Sequence, residues 1–347
     1  MRIVIVTDAW KPQVNGVVTT LSRVSEQLRR QGHEVRLITP EGRRTWPMPG
    51  YPEIRLTRRP GAAVASELDA IAPQAVHIAT EGPLGMAARR HCLRRRWPFT
   101  TAWHTQFPQY VRLRLPVPEA WTYRLLRRFH DPAERTLVPT PSMRDELAAH
   151  GFRHLLVWSR GVDTSVFHPG YADVFADLPR PVSIYVGRVA VEKNLEAFLS
   201  LPAAGTKVVV GDGPDRAGLQ ARYPHAVFTG YRYGEDLAAS ISSADVFVFP
   251  SRTDTYGLTM LEAMACGTPV AAYPVTGPRD VVEEGVTGAL DEDLGAAVAR
   301  ALQLPPEAAI AYAGARTWDA CAEALRAALA PIGGGGPQDA VADELPD

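Results

Sequence analysis

The chain has 347 residues, 46% of them hydrophobic, and a formal net charge of -1. That length and apolar content suit two ordinary domains with a core each, and exclude a disordered or disulfide-built chain; no apolar run reaches the roughly 18 residues of a membrane span. The charge is unevenly placed: residues 1–172 hold 25 Lys and Arg against 14 Asp and Glu, and the remainder 12 against 24, so the first half suits an anionic membrane surface, a polyanion or the second half itself.

In chain order, the start MRIVIVTDAW runs into a strand without a cleavable signal pattern. The three cysteines, Cys92, Cys266 and Cys321, form no CxxC pair and no metal-ligand spacing. Both features fit a reducing, cytoplasmic setting. Apolar runs at 3–6, 35–38, 75–78, 99–103 and 136–138 predict strands, separated by helical patterns such as Val17, Leu21, Val24 and Leu28. Trp121, Leu125 and Phe129 recur every four residues with Arg124, Arg127 and Arg128 on the other side. This predicts a basic amphipathic helix, either packed on a core or lying on a lipid surface.

A second set of runs follows at 182–186, 208–210, 227–229, 246–249 and 270–272. The rhythm predicts an α/β chain of two doubly wound, Rossmann-like domains facing a cleft. We expect one such domain over 1–168 and a second over 169–331, with prolines 169, 179 and 181 at the linker. The glycine-rich, then acidic segment 332–347 is expected to be a disordered tail.

In open parallel sheets, ligands gather beyond the carboxyl ends of the strands. The first half offers Asp8, Asn15 and Gly16 after its first strand, Glu81 after its third and His104 after its fourth. The second half offers Gly187, Arg188 and Lys193, where two cations converge as a diphosphate would require, and the segment 251–269, SRTDTYGLTMLEAMACGTP. There Asp254 and Glu262 stand eight residues apart around Gly257, which opens a helix. The backbone amides at Gly257 and Leu258 can meet a phosphate, and Glu262 leans back toward the same mouth.

Segment 251–269 resembles the acid-x7-Glu signature of the retaining glycosyltransferases of family 4, which have the GT-B fold; Asp254 stands where the usual form has Glu. The run from Gly187 to Asn194 resembles the G-R-x(4)-K-N element of the same family, and Asn15-Gly16-Val17 its N-terminal loop. The resemblance implies that Asp254 contacts the donor sugar, Glu262 holds the ribose, and Arg188, Lys193, Gly16 and the helix start at Gly257 and Leu258 bind the diphosphate. It also implies that His104 lies beside the reacting sugar, that 1–168 is the acceptor-side domain and 169–331 the nucleotide-sugar domain, and that the last helix crosses back to the first domain. Asp8 and Glu81 are candidates for acceptor hydroxyl contacts, and Arg160 and Asp163 for the domain junction.

The reading is a metal-independent, retaining hexosyltransferase with no cofactor. Its donor is a UDP- or GDP-sugar and its acceptor a membrane lipid or glycan hydroxyl, since HIATEGPLG, HTQFPQY and WSRGVDTSVF resemble bacterial glycolipid-forming members. It is expected in the cytoplasm, peripheral on the inner face of the membrane, and not on nucleic acid. Two rivals stay open. One is a dinucleotide-dependent oxidoreductase, with Glu41 as ribose acid but no GxGxxG; the other is a silent lipid-surface binder. The triplet Asp291-Glu292-Asp293 is read as acids at a helix start, not as a metal site.

Overall fold

The computed structural model describes residues 1–48, 51–112, 118–202 and 204–333. The first half builds β1 (Arg2–Val6), β2 (Glu34–Ile38), a hairpin of β3 (Thr45–Met48) and β4 (Tyr51–Thr57), then β5 (Ala75–Ile78), β6 (Thr100–Ala102), β7 (Arg135–Val138) and β8 (Leu155–Val157). The second builds β9 (Val182–Val186), β10 (Thr206–Val210), β11 (Val227–Gly230), β12 (Val246–Phe249), β13 (Val270–Ala272) and β14 (Gly288–Leu290). Residues 3–6 and 246–248 are wholly buried. Such unbroken apolar strands belong to a parallel sheet covered on both faces.

The two sheets run β2-β1-β5-β6-β7-β8 and β11-β10-β9-β12-β13-β14, and every pairing within them is parallel. Strand order reverses between β1 and β5 in the first and between β9 and β12 in the second. A crevice therefore opens beyond those strand ends. In the first half it is bordered by the segments holding Asp8 to Gly16 and Glu81, in the second by those holding Arg188 to Lys193 and Asp254 to Leu258.

The last described helix, Trp318–Ala328, leaves the second domain and packs on the first. Trp318, Cys321, Ala322, Leu325 and Ala328 join Ile3, Leu21, Val24 and Leu28 in one core. Trp158 Nε1 donates to the Cys321 carbonyl at 2.9 Å, and Arg135 Nη1 to that of Ala328 at 2.9 Å. Ile332 is also fixed, its amide donating to the Gln74 carbonyl at 2.8 Å, so the expected tail does not begin there; its remainder from residue 334 lies outside the described residues. The expected linker is partly core, because Phe167 and Phe175 are buried among the residues of the second domain.

The helix Glu119–His130 departs from its four-residue reading. Its inward face is Tyr123, Leu126, Phe129 and His130, while Trp121 and Leu125 are 74% and 66% exposed. A spacing of four drifts about 40° round the helix at each step, so Phe129 lies about 80° from Trp121, and the aromatic layer of Trp103, Tyr123 and Phe152 selects the stripe on the Phe129 side. Trp121 and Leu125 consequently share the outer surface with the exposed Arg124 and Arg128.

Candidate active site between the domains

Gly257 is the hinge of the acid segment. Its φ of +84° lies in the left-handed region, and a Cβ there would stand 2.6 Å from Met260 Cε and 2.9 Å from Phe249 Cζ. Only glycine turns the chain from β12 into the helix Leu258–Ala265 without both penalties. On one side of this turn Asp254 Oδ1 accepts from Lys193 Nζ at 2.5 Å, and its Oδ2 is buried without a hydrogen-bond partner among the described residues. Lys193 occupies a one-turn 3-10 helix, Val191–Lys193, instead of opening the next α-helix. Asn194, in the left-handed region with φ of +53°, ties that turn to β12 by donating from Nδ2 to the Pro250 carbonyl at 3.1 Å.

Within the helix, Glu262 is half-buried; its carbonyl accepts from the Cys266 amide at 3.1 Å, while its carboxyl makes no hydrogen bond among the described residues. Burial pushes its carboxyl up to about 7, opposed in part by the positive charge of Arg23 on the first domain. Arg23 itself is held 3.2 Å from Asp163 at the domain junction.

The acid segment spans the crevice. Thr255 Oγ1 donates to the His104 carbonyl at 2.9 Å, and the Tyr256 hydroxyl lies 3.4 Å from Ser159 Oγ. At the facing helix Gly16–Arg30, Asn15 caps the start by accepting from the amides of Val17 and Val18. A Cβ on Gly16 would approach Leu258 Cδ1 to 3.3 Å, so two helix starts from the two domains nearly touch. Asp254, Gly257, Leu258, Glu262, Lys193, Gly16 and His104 are thus gathered on one crevice. Arg188 follows β9 on its rim, its carbonyl accepting from the Tyr185 hydroxyl at 2.8 Å.

Asp8 has a different occupation from the one expected. It is buried, its Oδ1 accepts from the Leu84 amide at 2.9 Å, and its Oδ2 from the Gly85 amide at 3.2 Å and the Thr80 hydroxyl at 3.0 Å. It caps the helix Pro83–Arg95 from across the sheet, which leaves its carboxylate committed to backbone amides and not to an acceptor. Gly82 makes room for it, since a Cβ there would fall 2.4 Å from Asp8 Cγ. Glu81 remains at the crevice edge, its Oε1 accepting from buried His130 Nε2 at 3.1 Å.

Residues 14–166 match the family described as Glycosyltransferase Family 4, and residues 180–304 that described as Glycosyl transferases group 1. A GDP-mannose-dependent alpha-mannosyltransferase of Mycobacterium tuberculosis is 34% identical over 317 residues, covering 84% of this chain and 83% of that relative. The chain belongs to glycosyltransferase family 4. An alpha-monoglucosyldiacylglycerol synthase of Streptococcus pneumoniae is 27% identical over 351 residues, covering 88% of this chain and 79% of the relative. Among solved structures, sucrose-phosphate synthase from Thermosynechococcus elongatus superposes with a TM-score of 0.73 at 21% identity, covering 94% of this chain and 98% of the other, which identifies the fold as GT-B.

The protein is therefore a GT-B glycosyltransferase acting on a nucleotide sugar, and neither rival reading finds support. In this glycosyltransferase the sequence pointed to the acid segment and offered Arg160 for the domain junction, without its contact to His104. Arg160 is buried and its Nη2 lies 3.3 Å from His104 Nδ1. The one signal available was the run Ser159-Arg160-Gly161, in which Gly161 admits the backbone of Thr317 and Trp318 to within 2.4 Å of a would-be Cβ and so brings Arg160 under the cleft.

Proposed function

We propose that the enzyme transfers a mannosyl unit from GDP-mannose to a hydroxyl of a membrane lipid, with retention of anomeric configuration and without a metal ion. The observation that carries the transfer site is that Asp254 Oδ2 in the second domain and His104 Nε2 in the first are both buried and both without a hydrogen-bond partner among the described residues. An acceptor and a donor atom left open on facing walls match a sugar hydroxyl, which both accepts and donates. Glu262, equally open, suits the ribose diol. Similarity to a mannosyltransferase supports the choice of sugar and base.

In this reading the acceptor oxygen attacks the anomeric carbon on the face from which the diphosphate departs. The C–O bond to the diphosphate breaks as the new glycosidic bond forms, and the acceptor proton passes to the departing phosphate oxygen. Arg188, Lys193 and the amides at Gly257 and Leu258 stabilise the charge that develops there. Lys193 also holds Asp254, so the cation that meets the leaving group fixes the carboxylate that meets the sugar. Glu81 is assigned to the acceptor side.

The lipid acceptor is supported by the outer face of the helix Glu119–His130. Trp121 and Leu125 stand exposed there beside Arg124 and Arg128. The helix Phe107–Arg112 packs alongside, joined by an Arg112–Glu119 ion pair at 3.0 Å, and begins three residues after His104. Among the described residues no helix is long and apolar enough to cross a membrane, so attachment of the basic half to an anionic leaflet is peripheral.

A panel of GDP-mannose, UDP-glucose and UDP-galactose, assayed with extracted membrane lipids in the presence of EDTA, tests the proposal. Turnover of GDP-mannose to an α-linked glycolipid is expected. Preference for a UDP-sugar, a β-linked product or loss of activity with EDTA would each remove one part of it, and an unchanged rate in Arg188→Ala would remove the leaving-group assignment.

A further inference from the structure

We propose that Arg160 is a positioning residue that locks His104 in a single neutral tautomer, with the ring proton on Nε2, so that the imidazole presents an N–H to the donor sugar. The catalytic meaning of this lock rests on the sugar contact proposed above; the lock itself rests on geometry alone.

Two hydrogen bonds and two aromatic rings fix the guanidinium. Arg160 Nη1 donates to the Trp158 carbonyl at 2.5 Å and to that of Ser159 at 3.2 Å, and its central carbon lies 4.5 Å over the Trp158 ring and 6.0 Å from that of Tyr256. Its other arm, Nη2, then faces His104 Nδ1 at 3.3 Å. A guanidinium has five donors and no acceptor, so at this contact Nδ1 must supply the lone pair. The proton of the neutral ring is thereby assigned to Nε2, the atom that is buried without a partner. From the second domain, Thr255 fixes the backbone of the same residue through its carbonyl, and the Trp158 ring meets the imidazole edge at 6.0 Å between centroids.

The charge around the ring keeps it neutral. Burial is the largest influence pushing the imidazole well below its ordinary pKa, followed by Arg160, on the segment after β8, and by His77 on β5. His77 is wholly buried and held down at about 3, so it adds no charge of its own near neutrality. Around Arg160 stand the Cys321 thiol, pushed up to about 11, and the Tyr256 phenol, also raised, both uncharged at neutral pH. Arg160 has no carboxylate partner among the described residues, and it is the full charge that faces His104. Such an imidazole offers a hydrogen bond to a hydroxyl and resists becoming an acid.

The decisive test is the ¹⁵N spectrum of histidine-labelled full-length protein. His104 is expected to show a protonated Nε2 and a bare Nδ1, without titrating between about pH 5 and 8. A proton on Nδ1, or a titration near the ordinary histidine value, overturns the lock, and this measurement on the wild type decides even where a variant folds poorly. In Arg160→Gln a donor remains but the charge is gone. There kcat/KM is expected to gain an acid limb that the wild type lacks, falling about a further tenfold per pH unit below the new His104 pKa, beside the Glu262 titration near 7 that both enzymes share. Arg160→Lys, which restores the charge, is expected to remove that limb again at a lower kcat. An Arg160→Gln profile of the same shape as the wild type overturns the electrostatic part. Unchanged kcat/KM in His104→Ala would overturn the sugar contact and with it the catalytic meaning, whereas a wrong tautomer overturns the lock alone.

Discussion

Glu262 places a carboxyl with no hydrogen-bond partner in a half-buried helix, and burial raises its pKa from 4.5 to about 7. The folded chain therefore keeps a proton that the unfolded chain releases above 4.5, and the sign follows: stability is untouched below that value and falls as pH rises through about 7. Glu262→Gln removes the titration. The variant is expected to gain over the wild type on the order of 2–3 kcal/mol at alkaline pH and nothing in acid, read from urea midpoints at both ends; equal differences at both would exclude it. How far such residues were legible depends on distance along the chain. Asp254, Gly257 and Glu262 were readable because one turn and one helix bring them together. The Lys193–Asp254 pair joins residues from two loops, and neither its geometry nor the capping role of Asp8, whose amides come from Leu84 and Gly85, leaves a local trace. Arg160 was legible only as a junction residue, because beyond the local carbonyls of Trp158 and Ser159 its partners His104 and Tyr256 come from distant segments.

At the level of elements, the turn at Gly257 and the helix Glu119–His130 make opposite demands on side chains. Gly257→Ala meets both a left-handed backbone and two close carbons, so a loss of about 2–4 kcal/mol is expected, with weaker nucleotide binding. Gly218→Ala, in the helix Arg216–Arg222 with nothing near its would-be Cβ, is expected to gain about 0.5–1 kcal/mol, which makes the pair a control for glycine replacement as such. Chemical denaturation of both reads the contrast. For the outward helix, Trp121→Ser with Leu125→Ser is expected to lower partitioning onto anionic vesicles by about 10- to 100-fold while leaving thermal stability nearly unchanged, because both side chains already face water. Retained vesicle binding would move the membrane face elsewhere. The strands were legible from their apolar runs except for the edge strands β8 and β14, and for the separate two-stranded hairpin of β3, which carries Pro47, and β4. The helix was placed correctly, but its buried stripe depends on the aromatic layer beneath it, which periodicity alone does not contain.

For the whole molecule, the helix Trp318–Ala328 makes the first domain depend on the end of the chain. Leu325→Ala is expected to cost about 2–4 kcal/mol, with faster amide exchange concentrated in β1 and the helix Gly16–Arg30, not in the second sheet. Exchange changes confined to the second domain would contradict that packing. Two α/β domains were legible from the alternation of strands and helices, since that rhythm is set by local sequence; the return of the last helix to the first domain was only an inference from resemblance, because contacts such as Trp158 with Cys321 and Gln74 with Ile332 join residues far apart in the chain. One consequence reaches back to synthesis. Ala75 bridges Pro331, so on the ribosome the domain begun first is completed only after the second has been made, and its uncovered face stays open to chaperones or to lipid until the helix Trp318–Ala328 emerges.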